Sequence, residues 1–237
     1  MSRFLIALLA GLACAPVGAT QVLRYDTRVD VGPDGAGRAI ATVALAGAAP
    51  GTLRLPLGFR QPASVADIAP AGAAVVAGGG EAGWIEVRLP EGIAPDATVG
   101  FAYPVEGLLF VPKPEPGQKA TLPEGSRLLR HRFTATQEGA IGAYSLTVRL
   151  PDDVRVHRIR EQTPKPGRKE FTPRVELDRF DGREGARLQI AGLRQGDRAT
   201  MELEVVPARH SLAWLLALLP LAAGYLWFFR DLVAKDR

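Results

Sequence analysis

Between Leu23 and Val206 apolar and polar side chains alternate almost one by one, run after run. A period of two sends successive side chains to opposite faces of an extended chain, so the pattern predicts half-buried strands. Leu23, Tyr25, Thr27, Val29 and Val31 alternate with Arg24, Asp26, Arg28 and Asp30. Gly32-Pro33-Asp34-Gly35 carries turn residues, and Arg38 to Leu45 returns as the second strand of a hairpin. Leu53, Leu55, Leu57 and Phe59 follow, then the weaker runs Val65 to Ile68 and Ala73 to Ala77. Ile85, Val87 and Leu89, and then Val99, Phe101, Tyr103 and Val105, complete the first half. The second half repeats the style with Leu129, His131, Phe133 and Ala135, with Tyr144, Leu146, Val148 and Leu150, and with Val154 and Val156. A shift at Arg158-Ile159-Arg160 reads as a bulge. Val175 and Leu177, Leu188 and Ile190, and Met201, Leu203 and Val205 end the set.

Roughly seven strands per half with turns every ~8–12 residues is the pattern of antiparallel sandwiches. The expected fold is all-β: a tandem, or one enlarged, antiparallel β-sandwich resembling immunoglobulin or fibronectin modules in pattern only, since the Cys–Trp–Cys hallmark is missing. Lys113 to Ser126, KPEPGQKATLPEGS, is rich in Pro, Gly and charge and reads as a linker. That places one sandwich over 20–112 and another over 127–207. Ile85–Val105 and Leu188–Val206 form a faint internal repeat, each expected to be the final hairpin of its half.

Two segments set the address. Ser211 to Phe229, SLAWLLALLPLAAGYLWFF, is 19 residues without a charge. As a helix it covers about 28 Å, close to the ~30 Å of a bilayer core. Trp214 at one end and Tyr225 and Trp227 at the other suit the two interfaces, and a mid-span Pro220 is tolerable in lipid. No ionisable residue lies inside it to mark an ion path. Residues 1–19 read as a signal peptide, with Arg3, an apolar Phe4–Ala13 and Val17-Gly18-Ala19 before the cut at Thr20. Cys14 is the only cysteine, and it leaves with that peptide. Together these segments predict a bacterial inner-membrane protein with its bulk in the periplasm and residues 230–237 in the cytoplasm. Arg outnumbers Lys 24 to 5 and Asn is absent, which fits a GC-rich genome.

No stretch names a chemistry. The three histidines, His131, His157 and His210, form no HxH or HxxxH pair for a metal. Asp152-Asp153 follows Pro151 and reads as a turn, and Gly78-Gly79-Gly80 as a flexible loop. The expectation is therefore no enzyme, no cofactor, no metal and no catalytic residue. Charge placement is the remaining signal. Val154 to Arg174 holds seven Lys or Arg against Glu161 and Glu170. Its candidate contact residues are Arg155, Arg158, Arg160, Lys165, Arg168 and Lys169, facing an acidic protein, anionic glycan or lipid. Trp84 is a candidate glycan platform, and Ala222, Ala223 and Gly224 a small-residue contact face on the span. A net charge of +4 and an export signal exclude nucleic acid. The favoured role is an accessory or binding subunit of an envelope complex. A glycan- or lipid-binding module is the second reading, and a hydrolase gathering His131 or His157 with acids in a pocket the third.

Overall fold

The computed structural model describes residues 20–59, 65–78, 83–111, 125–137, 139–162 and 174–208, together with Pro220, Tyr225 and Phe229. The signal peptide, Lys165, Arg168, Lys169, His210, Ala222, Ala223, Gly224 and nearly all of Ser211–Phe229 lie outside them. Among the described residues no helix is long and apolar enough to cross a membrane. Pro220, Tyr225 and Phe229 each have helical backbone.

The rest is all-β. The strands are β1 Gln21–Val31, β2 Gly37–Ala46, β3 Gly51–Pro56, β4 Ala66–Ala69, β5 Ala74–Gly78, β6 Trp84–Leu89, β7 Thr98–Val105, β8 Leu109–Phe110, β9 Arg127–Thr134, β10 Ile141–Arg149, β11 Val154–Gln162, β12 Arg174–Phe180, β13 Arg183–Leu193 and β14 Arg198–Pro207. They form a seven-stranded sheet (β12-β13-β10-β1-β2-β7-β4), a four-stranded sheet (β11-β14-β9-β8) and a three-stranded sheet (β3-β6-β5). Strands from before and after Lys113–Ser126 stand in the same seven-stranded sheet and share one core cluster.

Four sequence expectations change. The seven-stranded sheet is mixed, not antiparallel: β1 and β10 pair in parallel, Tyr25 opposite Tyr144 and Val29 opposite Val148. Parallel neighbours need a long crossover, and here the chain from β2 to β9 supplies it. Leu23 does not share a face with Tyr25. The register slips between Val22 and Arg24, so Val22 turns inward and Leu23 is 48% exposed. Leu177 is also exposed, because β12 is an edge strand with a neighbour on one side only. The two repeat units are not hairpins. β6 lies in the three-stranded sheet and β7 in the seven-stranded one, while β13 and β14 divide between the seven- and four-stranded sheets. Each unit arches from one layer to the other. The β1–β2 hairpin forms as expected, its turn closed by Gly32 N–H donating to Ala36 O at 2.7 Å. The irregularity expected near Arg158–Arg160 occurs as two register slips in β11, between Val156 and Arg158 and between Ile159 and Glu161.

The inner face of the seven-stranded sheet meets both other sheets at one aromatic centre. Tyr25 on β1 and Tyr144 on β10 face Phe133 and His131 on β9. Phe133 lies 4.2 Å from the Tyr144 ring and 5.2 Å, edge-on, from Tyr25. The Tyr25 hydroxyl donates to Pro56 O at 2.6 Å, tying in β3. Beyond β3, Gly58 O accepts from Arg132 N–H at 3.4 Å, and Phe59 packs on His131 with ring centroids 4.6 Å apart. Gly58 is obligatory there. A Cβ at that position would sit 1.9 Å from His131 Cε1, closer than any side chain can relax from. Gly58→Ala is expected to lower stability by about 2–3 kcal/mol through overpacking. In a Gly58→Ala/His131→Ala double variant the methyl has room, so the two costs are expected to be strongly non-additive in chemical denaturation.

Candidate functional site

His131, singled out by sequence as a core residue or a ligand, is the hub of the buried centre. It is fully buried, with Nε2 2.7 Å from the Tyr144 hydroxyl and Nδ1 without a hydrogen-bond partner. Tyr144 also shares a side-chain hydrogen bond with Thr27, and Tyr103 one with the Gly58 backbone. Burial pushes the His131 imidazole down to about 3, so it stays neutral. Burial likewise raises the phenols of Tyr25, Tyr103 and Tyr144. Phe59, Tyr144 and Gly58 pack on His131, and buried Met201 stands opposite it on β14. His157 is exposed on β11, on a different strand and facing solvent. The two histidines thus stand apart, His131 buried on β9 and His157 exposed on β11. Among the described residues no three His, Cys, Asp or Glu cluster as metal ligands would.

The basic strand β11 is partly neutralised within the fold. Arg158 Nε lies 2.7 Å from Glu204 Oε2, and Arg160 Nε 3.9 Å from Glu202 Oε1. Arg130 on β9 holds Glu202 from the other side at 2.5 Å. Cross-strand register sets these pairs: Arg158 stands opposite Glu204, and Glu202 opposite Arg130. Glu204 is wholly buried and its Oε1 has no hydrogen-bond partner, so Arg158 is its main support. Arg155 is exposed. Sequence spacing gave the run of positive charge but not the glutamates 44 or so residues later that face it.

Trp84 is not an open platform. The Arg54 guanidinium lies over its ring at 3.7 Å. The backbone of Gly78 on β5 presses on its edge, where a Cβ would come within 2.7 Å of Cε3. The residue is half-buried.

The outward residues of the seven-stranded sheet form a lattice that sequence reasoning treated only as a polar face. Reading across β13, β10, β1 and β2, one row is Gln189, Ser145, Asp26 and Thr42, and the next Arg187, Thr147, Arg28 and Ile40. Arg24 pairs with Asp26 at 2.5 Å, and Arg28 with Asp181 at 3.0 Å. Arg149 binds Asp30 and, at 2.6 Å, Asp181. Burial alone would raise the Asp30 carboxyl, but the Arg149 hydrogen bond and the charges of Arg149, Arg28 and Arg183 hold it below the usual value. Asp181 reaches β1 from the β12–β13 turn, so that edge curls over the sheet and encloses a concavity of about 820 Å³. Phe180 lines it under the Arg187 guanidinium, 4.7 Å away.

No protein-family model matches the chain, and no curated protein matches it. Among solved structures it is similar to native leukotriene A4 hydrolase from Saccharomyces cerevisiae, with a TM-score of 0.45 and 12% identity over 78% of this chain and 29% of that one. An M1 zinc metallopeptidase from Deinococcus radiodurans gives a TM-score of 0.36 and 18% identity over 79% of this chain and 42% of that one. The chain thus spans less than half of either, and likeness at this level carries no activity across.

Two outcomes follow. The folded-state pKa of His131 lies below its unfolded value, so as pH falls the unfolded chain takes up the proton first. Stability is therefore expected to drop between pH 6.5 and about 3, by up to ~1.4 kcal/mol per pH unit from this residue. His131→Leu is expected to flatten that part of the curve in denaturant titrations across pH. Arg158→Glu sets a second carboxylate against buried Glu204 and is expected to cost about 2–4 kcal/mol. Arg155→Glu, on an exposed site, should stay within ~0.5 kcal/mol in the same denaturation assay.

Proposed function

We propose that this chain is a membrane-anchored β-sandwich of the bacterial envelope that serves as an accessory subunit, binding a partner protein through its exported sheets. The observation that carries the reading is the outer face of the seven-stranded sheet. A concavity of about 820 Å³ is lined by alternating Arg and Asp with Ile40 exposed among them. Such alternation selects a partner of matching charge order more than it adds raw affinity.

Strand direction favours protein over lipid. β14 ends at Pro207, and the apolar Ser211–Phe229 segment begins shortly after it. Helical backbone at Pro220, Tyr225 and Phe229 supports a spanning helix there, with Tyr225 and Phe229 one turn apart and their rings 4.3 Å from each other. The turns at the Pro207 end carry exposed Asp34, Asp152 and Asp153, which repel acidic headgroups.

The test is recovery of partners from native membranes in mild detergent, read by mass spectrometry. A stoichiometric partner is expected with the natural chain, and Arg24→Glu/Arg179→Glu, both on exposed side chains, is expected to release it. Unchanged recovery by that variant would remove the sheet face from the proposal.

A further inference from the structure

A second cleft, of about 630 Å³, opens where the three sheets meet. Its lining is mixed: the apolar side chains Leu57, Phe59 and Leu108 stand beside charged groups. Phe110 closes one wall, with the Arg130 guanidinium 5.4 Å over its ring. Two arginines stand on the rim on the outer face of β9. Arg130 is committed to Glu202 at 2.5 Å. Arg132 is exposed, and its guanidinium makes no ion pair or hydrogen bond among the described residues. Glu106, on the β7–β8 connection, also lines the cleft. Beneath the floor, against Gly58, lies the buried Nδ1 of His131 with no partner of its own.

Apolar side chains beside a guanidinium that makes no ion pair among the described residues have a definite chemical preference. The volume falls within the ~300–1,000 Å³ of small-molecule sites. Arg pairs carboxylate and phosphate in two parallel hydrogen bonds. We propose that this cleft binds an amphipathic anion, a carboxylate or phosphate carried on an apolar body. Arg132 pairs the anion, and Phe59, Phe110, Leu57 and Leu108 take the apolar part. The site is separate from the seven-stranded sheet face, so it stands or falls independently of the partner-binding reading.

Calorimetry on the full chain in neutral phosphatidylcholine nanodiscs tests it, with three probes: octanoate, dihexanoyl phosphatidate and inorganic phosphate. At least one amphiphile is expected to bind about tenfold or more tighter than inorganic phosphate, the apolar body supplying the difference. Tighter binding of octanoate identifies a soluble acid as the source, and tighter binding of the phosphatidate a lipid headgroup. Arg132→Ala is expected to weaken the amphiphile about tenfold, while Glu106→Gln, by removing a like charge from the rim, should tighten it. Opposite signs from two exposed positions separate recognition from damage to the fold. Absence of binding by both amphiphiles would overturn the proposal, as would an affinity unchanged by Arg132→Ala.

Discussion

Everything in this fold leans on the packing of Tyr25, Tyr144, Phe133 and His131 around Gly58. Each sheet contributes to that centre: Tyr25 and Tyr144 from the seven-stranded sheet, Phe133 and His131 from the four-stranded one, Pro56 to Phe59 from the chain leaving the three-stranded one. The rings alone would give bulk burial. The hydrogen bonds from Tyr25 to Pro56 and between His131 and Tyr144 fix one arrangement. In a water-free interior such bonds gain strength, and breaking one leaves a stranded polar group. The centre therefore specifies how the layers stack as well as that they stack.

A second constraint acts at the end of the parallel pair. β1 and β10 finish side by side, leaving carbonyls with no following strand to use them. Arg183 donates to both, from Nε to Leu150 O and from a terminal nitrogen to Val31 O, each at 2.8 Å. Arg149 adds Asp30 and Asp181. Arginine's planar fork suits such bridging better than lysine's single ammonium. The arginine excess, read from composition as a trace of genome bias, is thus put to structural use at Arg130, Arg149, Arg158 and Arg183. This also narrows what can bind: a basic residue already holding a buried glutamate is poorly placed to hold a partner, whereas Arg132 and Arg155 hold none among the described residues.

The two faces divide the functional possibilities. The seven-stranded sheet presents a wide, internally paired charge lattice, suited to a large partner matched in charge order. The cleft at the three-sheet junction sets apolar side chains beside Arg132, the pairing on which amphiphile binding is proposed. β14 runs toward Pro207, at the same end of the fold as the Asp153 and Glu106 turns.

Alternation by itself determined that the chain is all-β, and it placed most inward residues correctly. Tyr144, Leu146, Val148 and Leu150 are all essentially buried, as are Val99, Phe101, Tyr103 and Val105. Period two follows from the geometry of a single strand, so local sequence carries it. Leu23 escaped because a bulge shifts phase by one residue without a sequence mark, and Leu177 because an edge position is a property of the sheet. Only the tertiary structure decided that β1 and β10 join the two halves in parallel, and that β6–β7 and β13–β14 arch between layers. Only it decided that Glu204 and Glu202 claim Arg158 and Arg160 of β11, and that Trp84 lies under Arg54. Strand pairing joins residues over a hundred positions apart. Its choice rests on how whole faces pack, which no run of ten residues can contain.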